Sequence, residues 1–309
     1  MAANAAAQTA RAEQLKERRE PFVLATVVRA QRPTSAHAGN TALVLPTGEI
    51  DGFLGGTCVE ASVREYALTS LATQEPMLLR VVPGEPSSVR QEGAVEVANP
   101  CLSGGAVEIF LEPQLPAPRV VVVGSTPVAE ALAALGAVLD FDMVLTAGTA
   151  AEPRADDAAL IVASHGREEE PALELALRTG VPYIALVASG KRGSAVLASL
   201  DVGDALRARV HTPAGLALGG QTPAEIALSI LAELVSVRAA ARTGPPAPEA
   251  SGAGQAAGPA VAVDPVCGMS VAAVPASLHT SHDGVEVYFC SSGCKAAFLA
   301  DPDRYATAH

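Results

Sequence analysis

The chain has 309 residues, 49% hydrophobic and 3% aromatic, with no Trp and a formal net charge of -12. That length suggests two or three domains with cores of Ala, Val and Leu, and the acidic balance without a basic stripe argues against nucleic acid as a partner. No apolar run opens the chain as a secretory signal would, and no stretch reads as a membrane span, so a cytoplasmic location and no membrane partner are expected.

Residues 1–19 contain the run RAEQLKERR (11–19), which interleaves basic residues with Glu and predicts a solvated amphipathic helix. Residues 20–113 read as an N-terminal α+β domain. PFVLATVVRAQ (21–31) is a β-rich run, and TALVLPTGEIDGFL (41–54) gives two strands around the turn Pro46-Thr47-Gly48. After Gly55-Gly56, CVEASVREYALTSLA (58–72) places Val59, Val63, Ala67 and Leu71 at helical spacing. Thr57 is the predicted cap of that helix, and Glu60 suits its positive end. PMLLRVV and GAVEIFLEP are further strands.

The proline-rich connector PQLPAP (113–118) leads into a second α/β domain over 119–240. Residues 119–148 read as strand, tight turn, helix and strand, with Thr126 as N-cap and Pro127 as first helical residue. ALIVASHG (159–166), YIALVASG (183–190) and ARVHTP (208–213) add strands, with helices around 170–179 and 191–200. Such alternation predicts a Rossmann-like parallel sheet with helices on both faces. Thr222-Pro223-Ala224-Glu225 is a capping box that opens a last helix, roughly 223–240. Residues 241–261 read as a flexible linker, and 262–305 as a small third unit.

GFLGGTCVE (52–60) and NPCLSGGAVEIF (99–110) each set a cysteine within three residues of a Gly-Gly pair. If the two loops meet, Cys58 and Cys101 share a pocket with a bare backbone floor. If they lie apart, the stretches are tight turns with core cysteines. At a helix N-terminus, Cys58 is expected to be more acidic than a buried thiol. The five cysteines are too few and too uneven for a disulfide scaffold.

The turn VVVVGSTPVAEAL sits where a dinucleotide fold binds a pyrophosphate. However, G-x-G-x-x-G is missing, and the following strand ends in Thr146-Ala147 without the expected acidic residue. The reading is therefore a scaffold without NAD. Phosphate binding through Gly124, Ser125, Lys191 and Arg192 stays open beside a plain surface loop. In the last unit, DPVCGM (264–269) and YFCSSGCKAAF (288–298) bring three thiols, Cys267, Cys290 and Cys294, within reach of a soft ion such as Cu(I) or Zn(II). Met269, His279 or His282 would be further ligands; core cysteines are the alternative. A unit of about 45 residues is near the limit for folding without a staple, which favours a metal. His37, in the loop PTSAHAGNT, reads as a surface residue.

The order ATVVRA, TALVLPTGEIDGFLGGTCVEASV, CLSGGAVEIFLEP, a Rossmann-like domain and TPAGLALGGQTPAEIALSILAELVSVR resembles the XdhC/CoxI family over roughly 20–240. The resemblance implies an accessory protein that binds the molybdenum cofactor, as molybdopterin or its dinucleotide form, and supports its sulfuration and insertion. The client would be a molybdenum hydroxylase of the xanthine dehydrogenase or carbon monoxide dehydrogenase type. It also implies a sulfur donor, a homo-oligomer, and a chaperone rather than a catalyst. The cofactor-binding residues carried over are Gly55, Gly56, Cys58, Cys101, Gly104, Gly105, Gly124, Ser125, Lys191 and Arg192. The chain departs from the family pattern at RPTSAHAGN, at Gly124-Ser125-Thr126-Pro127, and where Leu102 and Ser103 separate Cys101 from its Gly-Gly. Residues 264–305 resemble a YHS domain, which implies a metal module for Cu or Zn. Two alternatives stand beside this reading: a metal delivery or sensing protein that works through that unit, and a nucleotide-dependent oxidoreductase.

Overall fold

A computed structural model describes residues 2–86, 91–99, 105–167, 169–243 and 258–305. The first segment folds as α1 (Ala2–Glu17), β1 (Phe22–Gln31), β2 (Thr41–Val44), β3 (Ile50–Gly52), α2 (Thr57–Thr73), β4 (Met77–Pro83), β5 (Ala94–Asn99) and β6 (Ala106–Gln114). These strands form one sheet in the order β3-β2-β1-β6-β4-β5. Neighbours are antiparallel except β4 and β5. Strand β5 has no counterpart among the strands expected from sequence.

Alternation along β1 and β2 divides the apolar side chains between the two sheet faces. Val23, Ala25, Ala42 and Val44 join Leu79, Val81, Ile109 and Leu111 in one core, closed by Val59, Val63 and Ala67 of α2. Phe22 and Leu43 form a separate cluster with Leu15 of α1. The N-terminal helix is therefore not the solvated element expected: Leu15 is fully buried, and Gln8 Nε2 donates to the Thr41 carbonyl at 2.9 Å.

The second unit contains β7 (Arg119–Val123), α3 (Pro127–Val138), β8 (Asp142–Thr146), β9 (Ala159–Val162), α4 (Glu169–Thr179), β10 (Tyr183–Leu186), α5 (Gly190–Ser199), α6 (Asp204–Arg207), β11 (Val210–His211) and α7 (Pro223–Thr243). The sheet order is β11-β10-β9-β7-β8, with every neighbouring pair parallel. All residues of β7, β9 and β10 are buried, as a sheet covered on both faces requires. Two cores flank it, one under α3 and α7 and one under α4 and α5. Thr126 accepts from Ala129 N at 3.2 Å, with Pro127 opening α3. The capping box holds as read: Glu225 N donates to Thr222 Oγ1 at 3.3 Å, and Thr222 N donates to Glu225 Oε2 at 2.9 Å. Residues 244–257, most of the expected linker, lie outside the described residues.

The C-terminal segment forms two antiparallel pairs and a helix: β12 (Val261–Val263) with β13 (Ser270–Ala272), β14 (Leu278–His282) with β15 (Val285–Phe289), then α8 (Ser292–Ala300). Phe289 and Phe298 supply its buried rings, 5.3 Å apart. Residues 252–309 pack with residues 1–116 as one compact unit, and residues 117–251 form the other. The seam inside the first unit runs between α2 and β13. Val271 is buried against Ala61, Glu65 hydrogen-bonds Ser270, and a Cβ on Gly48 would lie 2.7 Å from Val274 Cγ2.

Candidate functional site

Gly55 takes φ +135, a conformation side chains rarely adopt, and lies buried against Ala36 and Val59. It shapes the turn. Gly56 follows in an extended conformation as the N-cap of α2, and nothing lies within 4 Å of where its Cβ would be. Thr57, expected as the cap, is instead the first helical residue. The Gly56 carbonyl already accepts from Val59 N at 2.9 Å and Glu60 N at 3.2 Å, so the helical bonding pattern starts one residue early. No side chain caps α2, and its N-terminus keeps its positive potential toward open space.

That space is a cavity of about 640 Å³ lined by Arg32, Pro33, Thr34, Ser35, Gly56, Thr57, Cys58, Val59, Gly105 and Val107. The first Gly-Gly element therefore meets Gly105, the described residue of the second. Gly105 lies so close to the Pro33 backbone that a Cβ would stand 2.0 Å from its carbonyl oxygen. Cys101 and Gly104 lie outside the described residues. His37 is exposed in its loop, where its N–H donates to Asn40 Oδ1 at 2.7 Å.

The second feature is a thiol cluster. Cys267 Sγ and Cys290 Sγ are 3.5 Å apart, and Cys290 Sγ and Cys294 Sγ 3.7 Å. Ser291 caps α8 by accepting from Cys294 N at 3.2 Å, which fixes the turn that brings Cys294 back over Cys290. The ligand-capable atoms of Asp264, Cys267, Cys290 and Cys294 all lie within 4.8 Å of one another. Asp264, fully buried, was not foreseen. Its Oδ1 accepts from Val266 N at 2.9 Å and its Oδ2 from Cys290 N at 2.8 Å, so it ties the first cysteine loop to the second. The only trace of it in the sequence is its place three residues before Cys267.

The hydrogen bond with Cys290 draws the Cys267 thiol down to about 7, with the Met269 amide assisting and burial opposing. The same bond drives Cys290 far above the ordinary thiol range, reinforced by a hydrogen bond with Cys58 and by burial. Burial pushes Cys294 up to about 11. Cys58 thus reaches the cluster from the other domain. It packs with Cys290, Met269 and Cys294 around Ala61 and Val271. The two histidines proposed as ligands do not join: His279 Nδ1 pairs with the Ser277 carbonyl at 2.8 Å, and His282 sets its ring edge on Phe298.

In the parallel-sheet unit two of the four expected anion groups, Gly124 and Arg192, are committed elsewhere. The sheet order reverses between β7 and β9, the place where such sheets open a ligand crevice. A Cβ on Gly124 would lie 2.4 Å from the Ala163 carbonyl oxygen, and Thr126 Oγ1 donates to that same oxygen at 2.8 Å. Arg192, expected to face a phosphate, is paired with the buried carboxylate of Glu169, which also accepts from Ser164 Oγ and Gly166 N. A buried carboxylate needs such partners. Ser125 and Lys191 remain exposed. A second, half-buried cluster, invisible to local patterns, joins Glu233 to Tyr183 OH at 2.7 Å, His211 Nδ1 at 2.9 Å and Gly215 N at 2.9 Å. Burial works against the Glu233 carboxylate, but these bonds outweigh it and hold the group below its usual range. The cluster clamps α7 to the sheet.

The chain matches the XdhC and CoxI family over residues 15–82, the XdhC Rossmann domain over 120–234 and the YHS domain over 262–309. The chain thus carries an XdhC/CoxI domain, an XdhC Rossmann domain and a YHS domain in that order. Over 256 residues it is 29% identical to the uncharacterized protein YqeB of Escherichia coli K12, covering 74% of this chain and 45% of YqeB. The chain thus spans less than half the length of that curated relative. A solved structure described as a xanthine dehydrogenase from Bacillus halodurans covers 76% of this chain and 96% of its own, at 16% identity and a TM-score of 0.37. That likeness is too loose to inform the site. In XdhC/CoxI terms, the cavity belongs to the family domain and three of the clustered thiols to the YHS domain; Cys58 touches both. Among the described residues no helix is long and apolar enough to cross a membrane.

Proposed function

We propose that this protein is a maturation factor for a molybdenum hydroxylase and holds the molybdenum cofactor in the cavity at the start of α2. The observation that carries this reading is the convergence of Gly56, Thr57, Cys58 and Gly105 on one open cavity. Its donor set suits the cofactor. Arg32, the hydroxyls of Thr34, Ser35 and Thr57, and the uncapped helix end favour an anionic phosphate. The Cys58 thiol is the soft group for a metal–sulfur end. The volume lies within the range of small-molecule sites. The bound cofactor would supply the client's redox centre, while these residues bind it, orient it and keep water away. Sulfuration and insertion into a xanthine dehydrogenase- or carbon monoxide dehydrogenase-type client, with a sulfur donor, belong to the same proposal.

The test is retention. Purified full-length protein is incubated with released molybdenum cofactor, desalted and assayed for molybdenum. The wild type is expected to retain the metal, and Cys58→Ala to retain about tenfold less. Equal retention by both would remove Cys58 from the site, and none by the wild type would end the reading.

A second reading, metal binding by the YHS domain, is favoured by the sulfur separations of 3.5 and 3.7 Å. A tetrahedral ion with thiolate bonds near 2.3 Å spaces its sulfurs by about 3.8 Å. The oxidoreductase alternative gains nothing from Gly124, whose missing Cβ makes room for the protein's own Ala163 backbone.

A further inference from the structure

Helix α2 carries two stripes. Val59, Val63 and Ala67 face the sheet of their own domain. Cys58, Ala61 and Glu65, spaced i, i+3 and i+7, face the YHS domain: Ala61 is buried on Val271, and Glu65 bonds Ser270. The stripe ends on a thiol, and that thiol hydrogen-bonds Cys290 at the edge of the cluster against which Cys294 also packs.

The three YHS thiols leave a tetrahedral ion one ligand short. Asp264 is near enough, but its carboxylate is a hard donor, and its two oxygens each accept a backbone N–H that ties the two cysteine loops together. Two soft groups remain beside the cluster, the Met269 thioether and the Cys58 thiol; only the thiol can ionise to the thiolate such an ion prefers, and it hydrogen-bonds Cys290 from outside the group of ligand atoms that lie within 4.8 Å of one another, so ligation would draw it in. We propose that Cys58 is the fourth ligand of the YHS metal site, so that one thiophilic d¹⁰ ion is held by Cys58, Cys267, Cys290 and Cys294 across the seam between the two domains. The proposal rests on the metal reading of the thiol cluster and not on cofactor retention. It has a consequence for the cavity: Cys58 lines it, so an ion in the cluster engages the thiol that the cavity otherwise presents.

The test uses the reduced full-length chain and Zn(II). X-ray absorption at the zinc edge is expected to show four sulfur ligands in the wild type and three plus one lighter atom in Cys58→Ser, with Zn(II) binding at least about tenfold weaker in the variant. Three sulfurs in the wild type, or unchanged affinity in Cys58→Ser, would overturn the proposal. A measurement on the wild type covers the case of a variant that does not fold. Alkylation of Cys58, followed by peptide mass, should slow about tenfold on adding Zn(II), because a ligated thiolate is withdrawn from reaction. That protection should vanish in Cys267→Ser/Cys294→Ser. An alkylation rate unmoved by bound Zn(II) sinks the proposal even if molybdenum retention is intact. Loss of molybdenum retention with zinc protection intact would overturn the cofactor reading alone and leave this proposal standing.

Discussion

Glycine turns lead into a helix at two places in this molecule, Gly55-Gly56 before α2 and Gly124 before α3, and their surroundings are opposite. Beyond Gly56 lies open space, with a helix end, a thiol and an arginine facing it. Against Gly124 lies the Ala163 backbone, and the nearby arginine is held by a buried glutamate. In sequence both look like anion-binding turns. The difference teaches that a glycine before a helix signals close approach by something, which is either a ligand or the protein's own chain.

The comparison can be broken most forcefully by adding a methyl group. Gly124→Ala and Gly105→Ala both drive a Cβ into backbone carbonyls, and each is expected to cost about 3 kcal/mol in chemical denaturation. Gly56→Ala meets nothing and should cost within about 1 kcal/mol, chiefly the poorer N-cap. Equal losses at all three positions would mean that the cavity is not open at Gly56. The next largest effect separates the two cations of α5. Arg192→Ala strips Glu169 of its charged partner and should cost about 2 kcal/mol, whereas Lys191→Ala, on an exposed side chain, should stay within about 0.5 kcal/mol. A larger effect at Lys191 would return the crevice to consideration as an occupied site.

The smallest effect sharpens the seam. Burial raises the Glu65 carboxyl above its ordinary 4.5, with the Ser270 hydrogen bond opposing. Below that value the group is protonated in both folded and unfolded chains. As pH rises through the raised folded value, the unfolded chain has already released its proton and stability is lost. Wild type measured against Glu65→Gln should therefore lose ground between pH 4 and pH 7 in urea titrations. A constant difference across that range would mean that the seam is open to water at Glu65.

Much of this was legible in the sequence because it is local. The spacing of Val59, Val63 and Ala67, the Thr126-Pro127 start of α3 and the Thr222/Glu225 box each depend on neighbours within a turn or two. The strands of the parallel sheet announced themselves as continuous apolar runs. What escaped depends on partners far along the chain. Glu233 meets Tyr183 fifty positions away, and Arg192 meets Glu169 only after two strands and a helix are in place. Strand β5 earns its position by pairing with β4. Thr57 was misread by one residue because both it and Gly56 satisfy the cap pattern, and only the backbone decides. The second stripe of α2 was present as Cys58, Ala61 and Glu65, but a small, a polar and an acidic residue do not look like a contact face until Val271 and Ser270 cover them.

The first compact unit is discontinuous, joining residues 1–116 to 252–309 across 135 intervening positions that form the other. A chain emerging from the ribosome therefore makes the cavity and α2 long before it makes the segment that covers the Cys58 stripe. Through that interval Ala61 lies bare and the Cys58 thiol has no sulfur neighbour from the YHS domain. A nascent chain, or one clipped after α7, is thus a chemically different species from the full chain, its cavity-edge thiol lacking the Cys290 hydrogen bond that the complete fold gives it.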